Sequence, residues 1–179
     1  MGHIAVVGSA NLDISVRSHE KPIYRDSNPG KITMHPGGVG RNIAENLARL
    51  DETVHFFTQL GDEPNATYLK TLSEHSGMTV HDLSGDATRG NRYAAFFDDE
   101  GDMLLGVADT KGIETFSPED FTERERRIIT TADMLILETN LPPALISHLS
   151  TLNDMVLIDT VSTSKAPRVM GVLSDIHTL

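Results

Sequence analysis

Apolar residues gather in short runs that end at polar or glycine positions. Ile4 to Val7 is continuous and stops at Gly8, and Val54 to Thr58, Met134 to Leu137 and Met155 to Ile158 share that form. Runs of this length without alternation predict strands buried on both faces. Thr79 to Leu83 reads as one more. Segments with the helical period lie between them. Residues 40–50 place Ile43, Leu47 and Leu50 on one predicted buried stripe. Pro64 begins a helix to about His75, with Leu69 and Leu72 inward and Gly77 as its stop. Residues 143–152 form another. Ser117-Pro-Glu-Asp120 reads as a helix start, with Ser at the N-cap, Pro at N1 and Asp at N3.

Other pieces are half polar. Leu12 to Val16 alternates, which leaves one face wet. Ser18 to Lys31 is rich in turn formers (Asp26-Ser-Asn-Pro-Gly30) and reads as an exposed excursion. Arg92 to Phe97, the tip Asp98-Asp-Glu-Gly101 and Asp102 to Val107 predict a hairpin. The strand–helix alternation predicts an α/β protein with a mostly parallel sheet flanked by helices. The half-polar pieces, near 12–33 and 91–108, predict a small separate β-layer. Asp175-Ile-His-Thr-Leu179 reads as the start of a further strand, so the domain is expected to be incomplete.

The 179 residues suit one domain, or one with a small appendage, and 39% hydrophobic against 23% charged is ordinary for a globular chain. A net charge of -11 argues against duplex nucleic acid and anionic membrane surfaces as partners. The absence of Cys removes disulfides, thiolate metal sites and a Cys nucleophile. No run approaches the ~20 apolar residues of a membrane span, and the N-terminal run is too short for a signal segment. These features make cytoplasmic the default.

Candidate chemistry sits at the ends of the buried runs. Met34-His-Pro-Gly-Gly-Val-Gly-Arg-Asn42 sets glycines just before a helix. It is neither a Walker A loop nor a dinucleotide fingerprint, because the Gly-Lys-Ser/Thr and the third spaced Gly are missing. Two readings stand. The glycines form a turn, or Gly37 and Gly38 let a ligand touch the backbone while Asn42 aims its amide at a sugar hydroxyl. Asn11 and Asp13 follow a buried strand, where open α/β sheets bind ligands; a carboxylate there can take two vicinal ribose hydroxyls, and an Asx turn is the alternative. Glu138 and Asn140 lie past another strand, as does Asp159-Thr-Val-Ser162. The eight His residues show no metal spacing. Asp98–Asp102 is too short for an EF-hand loop and suits a hairpin tip, and 119–127 reads as a solvated helix face.

Together, Gly8-Ser-Ala-Asn11-Leu-Asp13, Pro36-Gly-Gly-Val-Gly-Arg-Asn42 and Thr58-Gln-Leu-Gly-Asp62 resemble the ribokinase/PfkB family of carbohydrate and nucleoside kinases. Ser18-His-Glu20, Asp26–Lys31 and Ile176-His-Thr-Leu179 are most similar to its bacterial pseudouridine-kinase branch. The resemblance implies a ribokinase-like core at 1–13, 34–90 and 109–179 and a β-stranded lid at 14–33 and 91–108, with the C-terminal part of the fold absent. It implies transfer of the γ-phosphoryl of ATP, with Mg²⁺, to the 5′-hydroxyl of pseudouridine or another ribose-containing acceptor. A binding module without catalysis is the alternative. By position, Asp13 would hold ribose hydroxyls, with Asn11, Gly37, Gly38, Asn42 and Asn140 or Glu138 around them. Asn28, Lys31 and Tyr93 would be lid contacts. The family's Gly-Ala-Gly-Asp segment, with its catalytic Asp, is expected beyond residue 179, as is most of the nucleotide site, so the chain alone is expected to be inactive. Lids that pair between subunits in some members imply a homodimer.

Overall fold

A computed structural model describes residues 2–61, 64–85, 90–174 and 176–178. The strands β1 (Ile4–Val7), β4 (Val54–Thr58), β5 (Thr79–Asp82), β8 (Met134–Glu138) and β9 (Val156–Asp159) form a parallel sheet in the order β5-β4-β1-β8-β9. Their continuous apolar runs serve both faces. Val6, Phe56 and Ile136 point to the side covered by α1 (Val39–Arg49) and α2 (Asn65–His75), where Ala44, Leu69 and Met78 bury against them. Val7, Phe57, Leu135 and Leu137 point to the side of α3 (Glu123–Thr130) and α4 (Pro143–Ser150), where Ile129, Leu145 and Leu149 are buried. Among the described residues no helix is long and apolar enough to cross a membrane.

A second sheet stands apart, in the order β3-β2-β6-β7: β2 (Asn11–Ser18), β3 (Gly30–Gly37), β6 (Asn91–Phe97) and β7 (Met103–Asp109). It is mixed: β2 runs antiparallel to β3 and parallel to β6, and β6 runs antiparallel to β7. The sheet reaches Asn11 and Gly37, past the 14–33 boundaries expected for the lid. The hairpin tip is closed by the Asp98 carboxylate, which accepts from the amides of Gly101 and Asp102, both at 2.8 Å. Acidic residues there shape a turn.

The observed elements differ from expectation in three places. β3 begins within the predicted excursion and runs past the expected β-layer to Gly37, with no strand read of its own, because it is exposed on most positions and carries no apolar run. The buried stripe of α1 is Gly40, Arg41 and Ala44, while Ile43 and Leu47 are half-buried and Leu50 is 72% exposed. Close approach of strand β1, rather than large side chains, sets that face. The Ser117 start does form a capping box, but it holds only one 3-10 turn, Pro118–Asp120. Phe121 then leaves the helical path to stack on Phe116, ring centroids 5.1 Å apart, and Thr122 starts α3 with Glu125 reaching back to its amide at 3.0 Å. Near the C-terminus, Thr178 makes a single parallel bridge to Leu157; Asp175 and Leu179 lie outside the described residues.

Candidate functional site

The two sheets meet where β1 ends and β2 begins. Gly8–Ala10 carries the chain across, and Gly37–Gly38 carries it from β3 into α1. Each glycine here makes room for the protein's own atoms. A side chain at Gly37 would overlap the Asp13 carboxylate. One at Gly38, whose φ is 99°, would overlap the Ser9 carbonyl and the Ala10 backbone. A Cβ on Gly40 would lie 2.7 Å from the Gly8 Cα. These close contacts within the chain bring α1 against β1 and seat Asp13 at the junction.

Asp13 is half-buried, and among the described residues no side-chain hydrogen bond engages its carboxylate. Burial pushes its carboxyl above the usual range, and the charges of His35 and Arg41 oppose that rise. Its strand neighbours are His35 on β3 and Tyr93 on β6. One end of the same strand holds Asn11, whose Oδ1 is buried and has no hydrogen-bond partner among the described residues. An orphaned buried acceptor beside an unengaged carboxylate can receive a polyol's hydroxyls.

Glu138 and Asn140, the other expected contacts, are held by bonds within the chain. Glu138 is fully buried, and its two oxygens accept from the amides of Ser9 at 2.7 Å and Asn140 at 2.6 Å. Burial raises its carboxyl pKa, against the pull of those amides and of Lys165. With each oxygen accepting from an amide, Glu138 clamps the ends of β1 and β8. The Asn140 side chain donates to the Ser9 hydroxyl at 3.1 Å and accepts from Lys165. Arg168 adds bonds from Nη1 to the carbonyls of Thr139, Asn140 and Leu141 at 3.1–3.2 Å.

Asn42 is exposed on the first turn of α1, with its Oδ1 3.3 Å from Arg41 Nη1. Asn28 spends its amide on its own loop, with bonds of 2.7–3.0 Å to Ile23 and Asp26. Lys31 pairs in register with Arg17, four residues along β2 from Asp13 and so about 13 Å away at strand rise. Asn11, Asp13 and Tyr93 are brought together; Asn28 and Lys31 are not. Asp62, from the third motif, lies outside the described residues.

Sequence reasoning missed Ser9, His35, Arg41 and Lys165. Arg41 is 2% exposed and bonds Ser73 Oγ at 3.2 Å, the Pro36 carbonyl at 3.4 Å and Glu45 at 2.8 Å, tying α1 to α2 and β3. Its signal was an Arg on the glycine face of an amphipathic helix. His35 was legible from its alternation with Met34 only once β3 is known to be a strand. Lys165 gave no signal, because its partner lies on a different loop.

The model of the pfkB family carbohydrate kinases matches residues 1–175. The chain belongs to this family. Among curated pfkB relatives, the pseudouridine kinase of Escherichia coli is 32% identical over 182 residues, covering 99% of this chain and 57% of that protein. The uncharacterized sugar kinase YeiI of the same organism is also 32% identical, over 99% of this chain and 49% of its own length. A carbohydrate kinase structure from Agrobacterium tumefaciens superposes with a TM-score of 0.92 at 24% identity, covering 98% of this chain and 59% of that one. The chain thus spans about half to three-fifths of the length of these three proteins, and the ribokinase-like architecture, without the C-terminal part of the fold, follows.

Proposed function

We propose that this chain carries the acceptor-binding part of a nucleoside kinase whose substrate is pseudouridine, phosphorylated at its 5′-hydroxyl. The observation that supports this most directly is the half-buried Asp13 carboxylate, unengaged among the described residues, with the orphaned Asn11 Oδ1 on the same strand. In this reading Asp13 accepts the two ribose hydroxyls and Asn11 accepts a third donor. Asn42 borders the sugar from the start of α1. The second sheet, at 14–33 and 91–108 with the strand ends beyond them, acts as a lid that excludes water. Glu138, Asn140 and Lys165 keep the floor rigid. Similarity to a sugar kinase at the same identity keeps other ribose-containing acceptors, or binding without catalysis, as the second reading.

The family activity implies ATP as donor with Mg²⁺, which would neutralise phosphoryl charge when bound. Among the described residues no group of three or more His, Asp or Glu is arranged to hold an ion. The buried carboxylate nearest the sheet ends, Glu138, already has both oxygens engaged. Among the described residues these carboxylates do not make a complete donor site.

The outer face of the lid supports a homodimer. Met34, Ile14, Ala94 and Val107 form one row across the four strands, and Ile32, Val16, Phe96 and Leu105 form the next. Ile32 is 68% exposed and Leu105 56%. A twofold axis would cover this patch with its own copy, an occupant that always has matching chemistry.

Titration calorimetry with pseudouridine, uridine and ribose tests the assignment. Saturable pseudouridine binding, abolished by Asp13→Ala, is expected. A folded chain that binds none of the three overturns it.

A further inference from the structure

The two faces of the second sheet are built differently. The outer face is the apolar patch just described. The inner face begins with the row His35, Asp13, Tyr93 and Ala108, and continues with Thr33, Ser15, Ala95 and Gly106. All four residues of that second row are small, so the surface beside Asp13 is flat. The aromatic side chain beside it is Tyr93, half-buried, with its hydroxyl 3.6 Å from Met103 Sδ.

Gly106 is what lets Tyr93 lie there. A Cβ at residue 106 would stand 2.5 Å from the Tyr93 hydroxyl, 3.2 Å from Cζ and 3.4 Å from Cε2. A glycine inside a strand weakens it, and often marks a place where something approaches closely. Its neighbours Leu105 and Val107 point to the other face, so the missing side chain belongs to the inner face alone.

We infer that Tyr93, seated on Gly106 beside the Thr33–Ser15–Ala95 floor, is the platform for a planar base, and that it makes the lid prefer nucleosides over free pentoses. This rests on the reading of Asp13 as the ribose anchor. Asp13 and Tyr93 are paired in register on adjacent strands, so a ribose on the first places its base within reach of the second. A free pentose would leave the ring untouched. Stacking tolerates any base that offers a π-face, so the platform selects the class, and other groups select the base.

The test is calorimetry on the full chain with pseudouridine, uridine and ribose. Tyr93→Ala is expected to weaken both nucleosides about 10-fold and to leave ribose within about 2-fold. Tyr93→Phe should match the wild type. Gly106→Val should behave like Tyr93→Ala, because a branched side chain there dislodges the ring while suiting an exposed strand, so folding is retained. Unchanged nucleoside affinity in Tyr93→Ala, or an equal loss for ribose, overturns the platform. A wild-type chain that binds ribose and nucleosides equally does the same. If the folded wild type binds none of the three, the Asp13 anchor itself falls, and the platform with it.

Discussion

The Asp13 carboxylate occupies the space that a side chain at residue 37 would need. The two residues come from different motifs, on strands β2 and β3, and the absence of one side chain fixes the place of the other. The glycine motif is therefore part of how the carboxylate is presented.

Gly37→Ala should displace Asp13 without unfolding the protein. Pseudouridine affinity is expected to fall about 10-fold or more, since a hydrogen-bonded charge contributes about 1.5–3 kcal/mol. Gly38→Ala should instead cost about 2 kcal/mol or more in stability, because φ there is 99° and the backbone of Ser9 and Ala10 is in the way. Urea unfolding beside calorimetry separates the two. Equal stability loss in both variants would show that Gly37 serves the fold alone.

Asp13→Asn should lose ligand and gain a little stability near neutral pH. Burial raises this carboxyl in the folded state, so ionised Asp13 costs stability above that pKa and the cost vanishes as pH falls. Ligand binding has the opposite slope, and should decline with acid from a pH above the ordinary aspartate range. A binding profile flat down to the ordinary range would contradict the assignment of the carboxylate as the acceptor of ribose hydroxyls.

Glu138→Ala would strand the amides of Ser9 and Asn140 in a fully buried place. A loss of roughly 2–5 kcal/mol is expected by denaturant melting, from two unpaired donors. A loss below the ordinary range for surface changes would show that the clamp is dispensable.

Two half-buried histidines, His55 and His81, predict the response to acid. His55 Nδ1 lies 2.9 Å from His81 Nε2, His81 stacks on Phe57 at 4.4 Å, and His3 bonds the Ile128 carbonyl of α3 at 2.9 Å. Burial lowers His81 to about 4, with His55 adding to it, and lowers His55 as well. A folded-state pKa below the unfolded 6.5 means their contribution is complete above that pH and is lost as pH falls toward about 4. His81→Phe should flatten the stability curve in that window. An unaltered curve would place the acid sensitivity elsewhere.

Phe96→Glu or Leu105→Glu puts a charge in the outer apolar rows of the lid. Light scattering is expected to show a dimer for the wild type and a monomer for either variant. A monomeric wild type at micromolar concentration would remove the proposed interface.

Much of the core was legible because its strands are continuous apolar runs, and continuity is what burial on both faces requires. β3 was not legible, since an exposed strand such as Lys31-Ile-Thr-Met-His35 has no core to announce it. The polar residues of the site were readable as types at strand ends. Their partners were not: nothing in Glu138 or Asn140 says that both carboxylate oxygens bind amides, or that Lys165 reaches across from another loop. The glycines could be read as a turn or as a backbone open to a ligand, and local sequence does not show that Asp13 and Gly8 fill the space beside Gly37 and Gly40.

The pairing of β2 with β6 also sets an order of events. Asp13 and Tyr93 become neighbours only when residues 91–97 reach a strand laid down near the N-terminus. Helices α1 and α2 and strands β3, β4 and β5 lie between them in the chain. Closing that long loop carries an entropic cost before any contact rewards it, so the lid sheet should assemble late and slowly relative to local elements. A nascent chain that has not yet emitted β6 holds Asp13 on an unfinished sheet edge, so the pairing of Asp13 with Tyr93 is a late product of synthesis.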